Sequence, residues 1–157
     1  MRNIWLLTWN PKNWEWKAYQ EWAAGIKMGN KYIEPWTVVS KKIAYGDEFF
    51  LMKTGEMPRG IIAHGRVVKE PYPAPHYDKE QALRGKMTNH IDAEFDWIID
   101  YMKEPILPQG VLKRTFPVQQ WSPQGSGISI RQEIADELIQ MWNNHIRGKV
   151  TMQMIVD

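Results

Sequence analysis

Gln119 to Ile130, QQWSPQGSGISI, sets one tryptophan beside serines, glutamine, proline and two glycines ahead of a short apolar run. Gly125 and Gly127 carry no Cβ and reach positive φ without strain, so a flat guest can lie close to the backbone. Ser122, Gln124 and Ser126 offer hydroxyls and an amide that both donate and accept, the groups needed to read a polar edge. With the rigid indole of Trp121 beside it, such a loop suits a planar, polar-edged ligand such as a nucleobase. The competing account is a structural turn whose Trp121 fills the core. A second group, Lys53, Thr54 and Glu56 in MKTGE, places an amine, a hydroxyl and a carboxyl close together. A desolvated lysine at a strand end can act as a base, whereas a polar surface turn with the same residues does no chemistry.

Other chemistries find little support. Cysteine is absent, which excludes disulfides, Fe–S clusters, thiol catalysis and zinc ribbons and fits a reducing interior. His64, His76, His90 and His145 show no ligand spacing, so no metal is expected. The P-loop, G-x-G-x-x-G, G-x-S-x-G and H-E-x-x-H signatures are all missing, and no cofactor is expected either. Without an 18-residue apolar run or a secretory leader, a cytoplasmic location is expected and no membrane association. Net charge is +2, split as +4 over residues 1–70 and −2 over 71–157. That allows a modestly basic face but not a binder that lives on phosphate neutralisation. The outlier is tryptophan: nine in 157 residues exceed what one core needs, which leaves indoles for stacking on a ligand.

The elements that must position these groups can be read in order, and the length suits a single domain over 1–157. Residues 3–9 form a strand apolar on both faces. Asn10 or Asn13 then caps a helix whose stripe of Trp14, Ala18, Trp22 and Ile26 turns inward, with Trp16 on the other side, and which ends at Gly29. EPWTVVS is an edge strand containing Trp36, EFFLMK a buried strand, and IIAHGRVVK a strand bulged at Gly65. EPYPAPHYD, residues 70–78, reads as a surface loop on its prolines. Asp78 caps a brief helix that ends near Gly85. HIDAEFDWII alternates Ile91, Ala93, Phe95 and Trp97 against Asp92, Glu94 and Asp96, the acids forming a solvated face. After a loop, EPILPQG, and the Trp121 stretch, Ser129 with Gln132 caps a helix bearing Ile134, Leu138, Met141 and Trp142. That helix stops at Gly148, and VTMQMIV follows as a last strand. Short, bulged, consecutive strands point to an α+β fold with a curled sheet or small barrel.

WNPKNWEW, GDEFFLMKTGEMPRGIIAHGRVV, PYPAPHYD, GKMTNHIDAEFD, EPIL and QQWSPQGSGISI, in this order, resemble the EVE domain of the PUA-like superfamily. The resemblance is to the branch found alone or fused to HNH nucleases in modification-dependent restriction, and covers residues 3–147. It implies a bent β-barrel of five to seven strands with peripheral helices. It also implies a pocket for a flipped modified base, as in the related YTH and SRA readers. Carried over, Trp36 and Trp121 are the stacking walls. Ser122, Gln124, Ser126 and Gly127 supply edge contacts and close backbone approach, with Trp9, Asn10 and Trp14 at the rim or floor. After the pocket tryptophan the family has serine, a small residue, glycine and asparagine; here Thr37, Val38, Val39 and Ser40 follow, so Thr37 joins the candidates. The implied partner is nucleic acid carrying a modified base, DNA ahead of RNA, with a separate nuclease as effector and the chain itself a non-catalytic monomer. The rival readings are an RNA reader and a small amidohydrolase acting on a modified nucleoside through Lys53, Thr54 and Glu56.

Overall fold

A computed structural model describes residues 2–156, with side chains as far as 147. Seven strands form one mixed sheet: β1 (Ile4–Trp9), β2 (Tyr32–Thr37), β3 (Glu48–Lys53), β4 (Gly60–Pro75), β5 (Met87–Ile98), β6 (Leu107–Pro108) and β7 (Ile128–Ser129). Around it lie α1 (Tyr19–Lys27), α2 (Lys79–Leu83), α3 (Gln109–Thr115) and α4 (Gln132–Val156). The strand order is β2-β5-β4-β3-β1-β7, with β6 beside β4. The pair of β1 with β3 is parallel and the others are antiparallel. This is an α+β fold whose sheet curls without closing. Its two ends nonetheless meet, because the Val39 N–H beyond β2 donates to the Ser126 carbonyl ahead of β7 at 2.8 Å.

β1 and β3 are buried along most of their length, as their unbroken apolar runs require. The register of β4 against β5 shifts at His64/Gly65, a bulge that lets the sheet bend. One face of β5 packs Ile91, Ala93 and Phe95 into the core. Its acids find individual partners instead: Asp96 bonds His64, Asp92 accepts from Tyr72 and Glu94 lies 4.0 Å from Lys31. Among the described residues no three acids or histidines gather to hold a metal, and no helix is long and apolar enough to cross a membrane.

Several expectations are corrected. α1 begins only at Tyr19; before it the Asn13 and Trp14 N–H groups close a single turn on the Asn10 carbonyl that does not continue as helix. On a helix Trp14 and Trp16 would point in nearly opposite directions; the turns allow both to face the sheet. Trp16 is buried and is a core residue. EPYPAPHYD is mostly strand, because β4 continues to Pro75 paired with β5. His76 donates to the Lys86 carbonyl across that pair. Counting back by two, Ala74 and Tyr72 aim their N–H groups the same way, so Pro73 and Pro75 turn their missing donors to the edge that β3 leaves uncovered, and Pro71 falls where the register shifts. EPILPQG holds β6 and the start of α3. Ser129 belongs to β7 and its hydroxyl meets the Ile130 carbonyl, so it does not cap α4. The α4 backbone continues to Val156, so VTMQMIV forms no strand.

Candidate nucleic-acid interface

Where the end of β1 passes edge strand β2, a cavity of about 570 Å³ opens. Its aromatic side is built from Trp9, Trp14 and Trp36. Trp36 is fixed by its indole N–H, which donates to the Thr8 carbonyl at 3.0 Å, and by edge contacts with Trp14 and Trp16 at 5.4 and 5.2 Å between centroids. The Trp9 indole donates to the Trp14 carbonyl at 3.0 Å, which pins the 10–18 segment and presents the half-buried Trp14 ring. Phe95 and Tyr19 complete an aromatic layer beneath. Rings held in this way are fixed at little entropic cost; Trp9 and Trp36 are each 6% exposed, and Trp14 offers the larger surface.

Polar groups line the cavity as well. Asn10, Asn13, Thr54, Gln124 and Ser126 are among them, and the Thr8 N–H donates to Ser126 Oγ at 3.1 Å, leaving that hydroxyl its own hydrogen to donate. His90, buried at the cavity edge, has Nδ1 3.1 Å from the Thr88 carbonyl and Nε2 3.3 Å from Thr37 Oγ1. A carbonyl can only accept, so Nδ1 carries a proton, and a neutral ring then accepts from Thr37 at Nε2. Gly125 lets the loop close on the β2 end: a Cβ there would stand 2.8 Å from Val39. Gly127, at φ 97°, donates its N–H to the Leu6 carbonyl at 2.9 Å and so docks the loop on β1. Glu34, Pro35, Val39, Tyr77 and Pro123 complete the wall. Burial pushes the Glu34 carboxyl above its ordinary range.

The EVE domain family model matches residues 3–120. The chain belongs to the EVE domain family. The matched part of this EVE chain ends one residue before Trp121, yet the loop that follows adds Pro123, Gln124, Gly125 and Ser126 to the cavity lining. Solved structures share the fold. A protein from Pseudomonas syringae superposes with a TM-score of 0.60 at 22% identity, over 88% of this chain and 98% of its own. A protein from Leishmania major gives 0.56 at 15%, over 90% and 94%. Human THYN1, solved in complex with DNA containing 5-methylcytosine, gives 0.57 at 18%, over 88% and 96%. No curated protein sequence matches the chain.

Of the residues singled out in the sequence, Trp9, Asn10, Trp14, Trp36, Thr37, Gln124 and Ser126 converge on the EVE cavity. Trp121 does not. It is 1% exposed and its indole donates to the Phe116 carbonyl at 2.9 Å, so it plugs the core behind the loop and the pair of facing indoles does not exist. Ser122 also lies outside, its N–H on Gln120 Oε1 and its hydroxyl 3.1 Å from Gln109 Nε2; Gly127 shapes the loop without lining the cavity. Lys53, Thr54 and Glu56 do not come together. Lys53 is 2% exposed, donates to the Glu56 and Pro58 carbonyls at 2.7 and 2.9 Å and lies over the Tyr101 ring, while Glu56 turns outward to Lys12. Burial holds the Lys53 ammonium below its usual range, but the two carbonyls already accept hydrogen bonds from it. Glu34, Tyr77 and His90 were missed. For Glu34 a signal was available: it stands two residues from Trp36 on one strand and therefore on the same face.

Proposed function

We propose that residues 1–157 form a single EVE domain that reads nucleic acid by taking an extruded modified base, a modified cytosine in DNA, into the cavity between β1 and β2. The observation that carries this reading is one cavity lined both by indoles, Trp9, Trp14 and Trp36, and by the hydroxyls and amides of Asn10, Asn13, Thr54, Gln124 and Ser126. Flipping a base costs a few kcal/mol. Stacking returns roughly 1 to 3 kcal/mol per base, and each hydrogen bond to the base edge adds about 1 kcal/mol. The preference for DNA draws support from THYN1, a structural relative held with 5-methylcytosine DNA. In this reading the chain binds as a monomer in the cytoplasm, turns nothing over, and serves modification-dependent restriction or defence by delivering a separate nuclease to its site. Titration of the purified chain against labelled duplexes with and without one 5-methylcytosine tests it, with matched RNA alongside. Tighter binding to the modified DNA, weakened by Trp14→Ala, is the expected result. Equal affinity for modified and unmodified duplexes refutes the reading, and preference for the RNA moves it to the RNA-reading rival.

A further inference from the structure

Strand β2 carries an acid where its neighbours on the same face carry rings. Tyr32, Glu34 and Trp36 share that face because they are spaced by two. Tyr32 stacks on Trp22, Trp36 packs edge-on to Phe95, and opposite Glu34 stands Ala93, small and fully buried. Glu34 is half-buried, lines the cavity and, among the described residues, has no side-chain hydrogen bond or ion pair. The Tyr72 hydroxyl feels its charge but donates to Asp92. Loss of water without gain of a partner raises the Glu34 carboxyl. A strand that had only to pack would be better served by an apolar side chain here.

Resting on the reading of this cavity as a base pocket, we infer that the Glu34 carboxylate selects the bound base by accepting a hydrogen bond from its exocyclic amine. The pocket then takes amino-bearing bases and turns away their oxo counterparts. An ionised carboxylate only accepts. Cytosine presents an N4 amine where thymine presents the O4 acceptor, so thymine would set two acceptors face to face in a partly desolvated site. 5-Methylcytosine and thymine share the ring outline and the C5 methyl, so the indoles grip both alike; on the polar edge the two differ at position 4 and at N3, and Glu34 reads position 4.

The test titrates the full chain against labelled duplexes with 5-methylcytosine or thymine at one position opposite an abasic site, where neither base loses a pairing partner. The native chain should prefer 5-methylcytosine by about tenfold or more, the usual worth of a hydrogen bond to a charged acceptor. Glu34→Gln, whose amide both donates and accepts, should bring the ratio to within about twofold, and Glu34→Ala, which does neither, should do the same by a second route. Both variants should melt no lower than the native chain, since an unpaired half-buried charge is removed. Equal affinity of the native chain for the two duplexes, with both still weakened by Trp14→Ala, overturns the role of Glu34 and leaves the base pocket standing. Full preference retained in both variants overturns it too. Failure to bind either duplex overturns the pocket itself, and this inference with it.

Discussion

Trp121→Ala separates packing from recognition. The indole is 1% exposed, lies 6.4 Å from the Phe116 ring, and donates to the Phe116 carbonyl at 2.9 Å. Truncating a buried tryptophan costs about 3 to 5 kcal/mol through lost burial and the void left behind. The Phe116 carbonyl loses its donor as well, although water entering the void recovers part of that. A net loss of about 4 kcal/mol fits, and for a domain of this size each kcal/mol lowers Tm by about 2 to 4 °C, giving a fall of about 8 to 16 °C. Calorimetry or urea unfolding measures this directly. At a temperature where the variant is still folded, its affinity for the 5-methylcytosine duplex should stay within about threefold of native, because the cavity walls do not include this ring. A variant that melts within about 3 °C of native yet no longer binds would refute the reasoning and return the indole to the ligand's path.

Trp14→Ala should do the reverse, lowering affinity by roughly 5- to 150-fold, the equivalent of one stacked ring, with a smaller fall in Tm than Trp121→Ala since Trp14 is only half-buried; parallel titration and melting check it. His64 is tied to Asp96 and Glu48 at 2.9 and 3.0 Å. Burial opposes its protonation, but the two carboxylates prevail and hold it up at about 9. A raised histidine contributes stability that is complete below its unfolded value near 6.5 and is lost as pH climbs through about 9. Urea unfolding from pH 6 to pH 10 should therefore show stability falling by on the order of 2 to 3 kcal/mol, and His64→Gln should flatten that slope; an unchanged slope refutes the assignment. Gly127→Ala should lower unfolding free energy by about 1 to 3 kcal/mol. The residue would have to hold φ 97° with its Cβ 3.1 Å from that of Val38, and a weakened grip on the modified duplex should follow because Gln124 and Ser126 ride on the same loop.

The sequence by itself determined most of what depends on period and local chemistry. The alternation of β5, the apolar runs of β1 and β3, the bulge at Gly65 and the Asp78 cap all follow from side-chain spacing and backbone preference, which are local properties. The collinear motifs carried the family. Tertiary structure decided which aromatic ring does what. Trp121 and Trp36 are the same residue type, each near flexible polar residues, but one is closed off by the Phe116 turn and the other faces the gap between β1 and β2. Trp14 exchanged a helical stripe for a cavity wall because residues 10–18 form turns and α1 starts only at Tyr19. The prolines of residues 71–75 signalled a loop, yet Pro73 and Pro75 lie along an uncovered sheet edge where no donor is needed, and Pro71 sits at a register shift. Glu34 lines the cavity because the fold sets β2 at its edge. Which groups face one another across a curled sheet depends on residues far apart in the chain, and no local pattern encodes that meeting.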